Sequence, residues 1–325
     1  SAFTVYVTGA FIAGFSMCLL NLVVNPLLNT LGGGGNKGNQ LVQFGCSLNS
    51  IGATLAPVCP AWRAVGGVAK ANVGQAVPAL VIAMAIFAVA FVVIALSKIP
   101  EPHLETAEEK ANRTSVVADI LSTLKFRHFT LGALAIFFYI VIESGIPNMA
   151  MLYMTAEKLG EVKNPAFVGA AVAGSVCGAY WFCMMIGRLL GGVIGGKVSS
   201  RVQITICSVM GIACMLAAMY MPVKMVTVFG KEFPLAMCAM ALCGLFTSVM
   251  WGGIFNMAAE GLGKYVPMGS GIFMAMVVGG LMLPVQGLVA DKIGFLNSYW
   301  MTIALFAYVL FYALIGSRVS KRADA

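Results

Sequence analysis

The stretch Ser97–His128, "SKIPEPHLETAEEKANRTSVVADILSTLKFRH", is the only long polar segment in a chain of 325 residues. On both sides of it the sequence reads as apolar runs of about 20 residues, the length an α-helix needs to cross a bilayer. The chain is 60% hydrophobic and only 10% charged, whereas a soluble domain carries about 25% charged residues. A larger core cannot explain that deficit, because a soluble surface needs polar groups. The sequence therefore predicts an all-α integral membrane protein, since spanning strands would show ten-residue alternation instead.

The apolar runs fall at 3–30, 39–59, 74–97, 129–156, 166–195, 202–222, 234–262, 267–290 and 298–317, about nine spans. Three precede the polar segment and six follow it. The expected domains are 1–97, the end of a first helix bundle; 98–128, a linker whose second half has an amphipathic pattern; and 129–325, a six-helix bundle. With the linker in the cytoplasm, thirteen of the 20 Lys and Arg residues fall inside and seven outside. That bias fits the positive-inside rule and places the C-terminus in the cytoplasm. The net charge of +8 is read the same way, so no nucleic-acid partner is expected. Nine cysteines without a CxxC, and two histidines, argue against a zinc site or a disulfide framework. "LGGGGNKG" from Leu31 lacks the GK[ST] ending of a phosphate loop. No cofactor is expected.

A short unit repeats across the linker. "SIGATLAP" (Ser50–Pro57) and "VVGGLMLP" (Val277–Pro284) both place a small pair four residues ahead of a proline. Together with six spans after the linker, this points to a transporter of 6+6 parallel halves. On that plan the spans present are the fourth to the twelfth. The chain starts without a methionine at the head of a span, so three further spans are expected ahead of Ser1.

Polar residues inside the runs locate a candidate site. Asn21, Asn25 and Asn29 lie four apart on one face of the first span, with Pro26 after the second. Gln43, Ser47, Ser50 and Thr54 form a second stripe, with Asn49 beside it. Lipid cannot satisfy these groups, so they face other helices or a cavity. Two striped neighbours favour a cavity wall over simple interhelical bonding. Glu143, in "FFYIVIESGIPNM", is the only carboxylate deep in an apolar run, with Tyr139 one turn away and Pro147 just beyond. A charge there costs on the order of 3 kcal/mol, which marks Glu143 as a substrate or proton contact. Thr247, Trp251 and Phe255 share a face, where an aromatic ring can stack on a sugar; core packing explains them equally well. Asn256 and Glu260 lie near the inner end, and Glu260 is read as gate or loop structure. In "GRLLGGVIGGK" the glycines Gly187, Gly191 and Gly195 repeat every four residues, a close-packing signature. Arg188 and Lys197 flank it at the expected inner face as gate residues.

The motifs "NPLLNTLG" (Asn25–Gly32), "LNSIGA" (Leu48–Ala53), "IGRLLGG" (Ile186–Gly192) and "GSGIFMAMVVGGLMLPVQGLVAD" (Gly269–Asp291) stand in the order and spacing of a known family. Over nearly its whole length the chain resembles the fucose permease branch of the major facilitator superfamily, sugar:proton symporters. The resemblance implies a central cavity, alternating access and sugar contacts from both halves. It sets Asn49 on a sugar-contacting asparagine, Trp251 on an aromatic position, and Glu143 where the fucose permease has glutamine. Two positions depart from the pattern. Asn21 stands where relatives often carry an acid, and Cys46 where they carry glutamine.

The expected function is secondary active transport of a hexose or fucose-like sugar across the bacterial inner membrane, coupled to protons, by a monomer. Asn21, Gln43, Asn49, Tyr139, Glu143 and Trp251 are the expected sugar contacts, with Glu143 the proton acceptor. Asn25, Pro26, Gly187, Arg188, Gly191 and Glu260 are expected to gate or pack. Export of drugs or other small metabolites, and a non-transporting membrane sensor, remain alternatives.

Overall fold

The structure, a computed structural model, describes residues 2–33, 35–55, 73–98, 116–228 and 230–319. Linker residues 99–115 and the Pro57 end of the repeat lie outside the described residues. Ahead of the linker come α1 (Ala2–Leu31), α2 (Gly35–Leu55) and α3 (Val73–Leu96). After it come the short amphipathic α4 (Val116–Leu124) and the long α5 (Arg127–Thr155). The rest of the chain forms α6 (Ala170–Gly195), α7 (Ser200–Tyr220), α8 (Leu235–Thr247), α9 (Met250–Ala259), α10 (Val266–Ala275), α11 (Leu283–Ile293) and α12 (Tyr299–Phe311).

Two small antiparallel hairpins join helices. β1 (Lys158–Leu159) and β2 (Val162–Lys163) link α5 to α6, and β3 (Met225–Val228) and β4 (Lys231–Pro234) link α7 to α8. Gly160 and Gly230 turn these hairpins at φ 66° and 73°, angles that a side chain would resist.

Among the described residues seven segments are long and apolar enough to cross a membrane: Val7–Leu31, Arg127–Thr155, Ala170–Gly195, Ser200–Tyr220, Leu235–Ala259, Gly263–Ile293 and Tyr299–Gly316. The expected count of about nine differs at two helices. α2 is long enough at 21 residues but carries too many polar side chains. α3 runs for 24 residues and is apolar over Leu80–Leu96 among its described positions.

Two runs that read as single spans are broken. The 234–262 run bends at Ser248–Val249, between α8 and α9. The 267–290 run holds a 3-10 segment, Met276–Met282, between α10 and α11. Within or one turn from each irregularity a glycine admits a neighbour's backbone. A Cβ on Gly244 would strike the Tyr180 carbonyl, and one on Gly279 the Phe137 carbonyl.

α5 is the central helix. Its buried side chains, among them Ile136, Tyr139, Ile142 and Met154, pack with Met184, Met250, Phe273, Phe306 and Tyr312 of the surrounding helices. α1 packs on α2 and on α10, while α2 lies mainly along α6. The glycines of α6 serve two neighbours. Gly187 and Gly191 face Ser248 and Val249 at the α8–α9 break. Gly192 meets the Phe44 ring of α2, and Gly195 and Gly196 meet Gln40.

These contacts separate two glycines of the bundle, Gly244 buried and Gly178 half-buried. Gly244→Ala presses a methyl into the Tyr180 carbonyl and is expected to cost about 1–3 kcal/mol by overpacking. Gly178→Ala, with nothing within 4 Å of a built Cβ, is expected to change stability by no more than about 0.5 kcal/mol. Thermal unfolding in detergent checks the pair.

Candidate functional site: a buried Glu–Arg pair

Pro147 organises the site. It sits inside α5 and lacks an N–H, so the carbonyl of Glu143, four residues back, has no helical donor. The Tyr180 hydroxyl of α6 donates to that carbonyl at 3.1 Å. Tyr299 of α12 donates to the Ile146 carbonyl at 2.9 Å, and the Cys177 thiol approaches the Pro147 carbonyl at 3.4 Å. Side chains from two neighbouring helices thus hold the backbone turn that carries Glu143.

One oxygen of the Glu143 carboxylate is doubly engaged. Oε1 accepts from Tyr139 at 2.8 Å and from Arg188 Nη2 at 3.0 Å. This is the only ion pair among the described residues, and both side chains are largely buried, 5% exposed for Arg188 and 14% for Glu143. The rest of the guanidinium is satisfied as well. Nη1 donates to Ser50 Oγ at 2.6 Å and to the Cys46 carbonyl at 3.1 Å, both on α2. Nε reaches the Ser248 carbonyl at 3.4 Å. Gln43 of α2 donates to the next carbonyl, Val249, at 3.0 Å. The Ser248 carbonyl at the break is therefore met by a side chain of α6, and the Val249 carbonyl, which also accepts from the Gly253 N–H at 3.1 Å, by one of α2. A buried pair is tolerable only when its remaining polar atoms find partners in this way.

Arg188 is the chief correction to the sequence reading. Expected at the inner face as a gate, it lies inside the bundle at the meeting point of α2, α5, α6 and the α8–α9 break. A signal for this was present: one lone acid and one arginine within apolar runs would each be costly in a bilayer unless paired.

The other expected residues divide. Tyr139, Glu143 and Arg188 are brought together, and the tilted Trp251 ring stands 6.3 Å from the Tyr139 ring. Trp251 also packs edge-on against Phe273 at 5.9 Å. Gln43, Ser47 and Ser50 do not line an open wall but are buried where α2 meets α6 and α9. Asn49 is exposed on another face of α2, next to Ser50 in sequence. Asn21 turns back on its own helix and donates to the Met17 carbonyl at 3.1 Å. Asn25 is buried, and α1 runs through Pro26 without a break. Gly187 and Gly191 pack at the helix break. Glu260 forms no ion pair among the described residues; instead its backbone carbonyl bonds His128 Nε2 at 2.7 Å, tying the start of α5 to the end of α9. Sequence reasoning missed Tyr180, because a tyrosine in an apolar run reads as core, and Ser50 as the partner of an arginine. Among the described residues no group of three His, Cys, Asp or Glu could hold a metal ion.

No family model matches the chain. A glucose/galactose transporter of Brucella abortus (strain 9-941) is 26% identical over 97% of this chain and 72% of its own length. The L-fucose-proton symporter of Escherichia coli K12 is 21% identical over 98% of this chain and 73% of its own. A crystal structure of a major facilitator superfamily transporter in the outward conformation superposes with a TM-score of 0.77, covering 98% of this chain and 77% of that one at 20% identity. The chain has the major facilitator superfamily fold. The resemblance to the fucose permease branch, read from the motifs, is borne out by these relatives. Within the facilitator fold, the seven apolar segments are those of an integral membrane protein.

The pair makes a clear energetic prediction. Arg188→Met strands Glu143 and is expected to cost about 3–5 kcal/mol if the carboxylate stays ionised. Adding Glu143→Gln should recover a large part of that loss. A double-mutant cycle on thermal unfolding should show a coupling of about 1 kcal/mol or more.

Proposed function

We propose that this protein is a secondary active transporter that carries a monosaccharide across the bacterial inner membrane together with a proton. The single observation that carries the reading is the Glu143–Arg188 pair, buried in the bundle and bonded to α2. Helices of residues 1–97 and 129–325 would act as the two rocking bodies, with 98–128 linking them in the cytoplasm. The relatives named as sugar transporters support the substrate class.

The chemistry follows from the pair. Arg188 holds Glu143 on α5 with one nitrogen and Ser50 and Cys46 on α2 with another. An ionised Glu143 balances the guanidinium where it stands. A proton on Glu143 removes that balance, and the buried cation must then find another anion or water. Proton uptake would thereby loosen a link between the two bodies. An amide cannot titrate, so Asn21, standing where relatives often carry an acid, can bind a hydroxyl but cannot carry the proton. Glu143 would take over that task.

Sugar contacts would come from Glu143, Asn49, Asn21 and the Trp251 ring. Gln43 and Tyr139 could join only by giving up their present partners. The protein would act as a monomer, without a cofactor and without enzymatic chemistry, its C-terminus in the cytoplasm.

The test is reconstitution of the full-length protein in liposomes with labelled glucose, galactose and L-fucose. An inward acid gradient should drive accumulation. Glu143→Gln is expected to reduce that accumulation by about tenfold or more. Asn49→Ala is expected to raise KM. Gradient-driven uptake unchanged in both variants would overturn the assignment, and the absence of any counterflow would favour a non-transporting role.

A further inference from the structure

Tyr180 holds a position that the transport reading does not use. It is 2% exposed, and Thr247 beside it is fully buried. Trp181 stands edge-on to the ring at 5.5 Å, and Gly244 of α8 lies against the Tyr180 carbonyl and the near edge of its ring. Its hydroxyl has two neighbours, the Glu143 carbonyl and Thr247 Oγ1, each at 3.1 Å.

Counting protons orders this cluster. A carbonyl only accepts, so the single Tyr180 hydroxyl proton goes to the Glu143 carbonyl. The link to Thr247 must then be donated by Thr247. That hydroxyl has competing acceptors on its own helix, the Gly244 carbonyl at 3.1 Å and the Cys243 carbonyl at 3.3 Å. When it turns to Tyr180, a directed chain runs from α8 through α6 to the turn of α5 left open by Pro147. Aligned hydroxyls polarise one another, so each strengthens the next bond.

We infer, resting on the proton-coupling reading above, that Tyr180 is a positioning residue for Glu143: with Thr247 it fixes the proline-loosened turn of α5 and so holds the carboxylate against Arg188. The Glu143 carbonyl and its carboxylate belong to one residue, so a shift of the first by a fraction of an ångström moves the second. The charged and titratable groups facing Glu143 are Tyr139 on α5, Arg188 and Tyr180 on α6, and Cys46 on α2. Only Arg188 carries an opposite charge, so the Glu143–Arg188 separation controls how readily the acid gains a proton.

The variants are Tyr180→Phe, Thr247→Val and Thr247→Ser in the full-length protein. The readouts are infrared titration of the Glu143 carboxyl band, assigned by its loss in Glu143→Gln, and sugar KM against maximal rate. Tyr180→Phe is expected to raise the titration midpoint by about one pH unit, as for a carboxylate that loses part of an opposite charge. It should also lower the maximal gradient-driven rate while KM stays within about twofold. Thr247→Val should shift the midpoint the same way, and Thr247→Ser should restore it. Should Tyr180→Phe not fold, the Thr247 pair decides alone. A Tyr180→Phe midpoint equal to that of the unsubstituted protein overturns the inference and leaves the transport reading standing, as does a Thr247→Ser variant that behaves like Thr247→Val. If Glu143 shows no titration in the unsubstituted protein, the proton-coupling reading falls first and this inference with it.

Discussion

A guanidinium enclosed in apolar helices has to be met by an anion and by enough carbonyls and hydroxyls to absorb its five N–H groups. Around Arg188 that requirement draws together parts of the chain far apart in sequence. Glu143 comes from α5, Ser50 and the Cys46 carbonyl from α2, and the Ser248 carbonyl from the α8–α9 break. Loss of the charge would leave each of these groups short of a partner. The architecture around the site is in this sense organised by one side chain.

The irregular backbone obeys the same constraint. Non-helical segments are tolerated at membrane depth only where protein encloses them. Pro147 opens a carbonyl on α5, and a tyrosine from α6 closes it. At the Ser248–Val249 break Arg188 meets the Ser248 carbonyl, and Gln43 adds a second donor to the Val249 carbonyl beside the Gly253 N–H. Each break therefore doubles as a docking point between helices. Stability and site geometry are built from the same bonds, so neither can be altered without touching the other.

Much of the fold was legible from the sequence, because bilayer thickness imposes a length on apolar runs and the linker breaks their series. Glu143 was legible for a related reason: an acid in such a run is too costly to be incidental. The partner of Glu143 was harder to see. Arg188 lies among glycines near the end of its run, where a cation also reads as a membrane-edge residue. The break at Ser248–Val249 carries no proline or glycine of its own, since it is maintained by contacts from α2 and α6. The polar stripe of α2 was found, but not its direction. Helical spacing groups Gln43, Ser47 and Ser50 and sets Asn49 to one side; only packing shows that the first group is enclosed and Asn49 is not.

The glycines of α6 give this helix two smooth flanks. Along the flank toward α2, Gly192, Gly195 and Gly196 present backbone where other helices present side chains, and Phe44 and Gln40 rest on it. Interlocked ridges would have to change rotamers before two helices could part. A flank without side chains has nothing to disengage. α2 therefore lies on a bearing surface rather than in a lock. Apart from the Gln43 bond to the Val249 carbonyl, the polar bonds that hold it there are those of Arg188 to Ser50 and Cys46. Mechanical freedom and chemical restraint of α2 thus reside on one helix, a few residues apart.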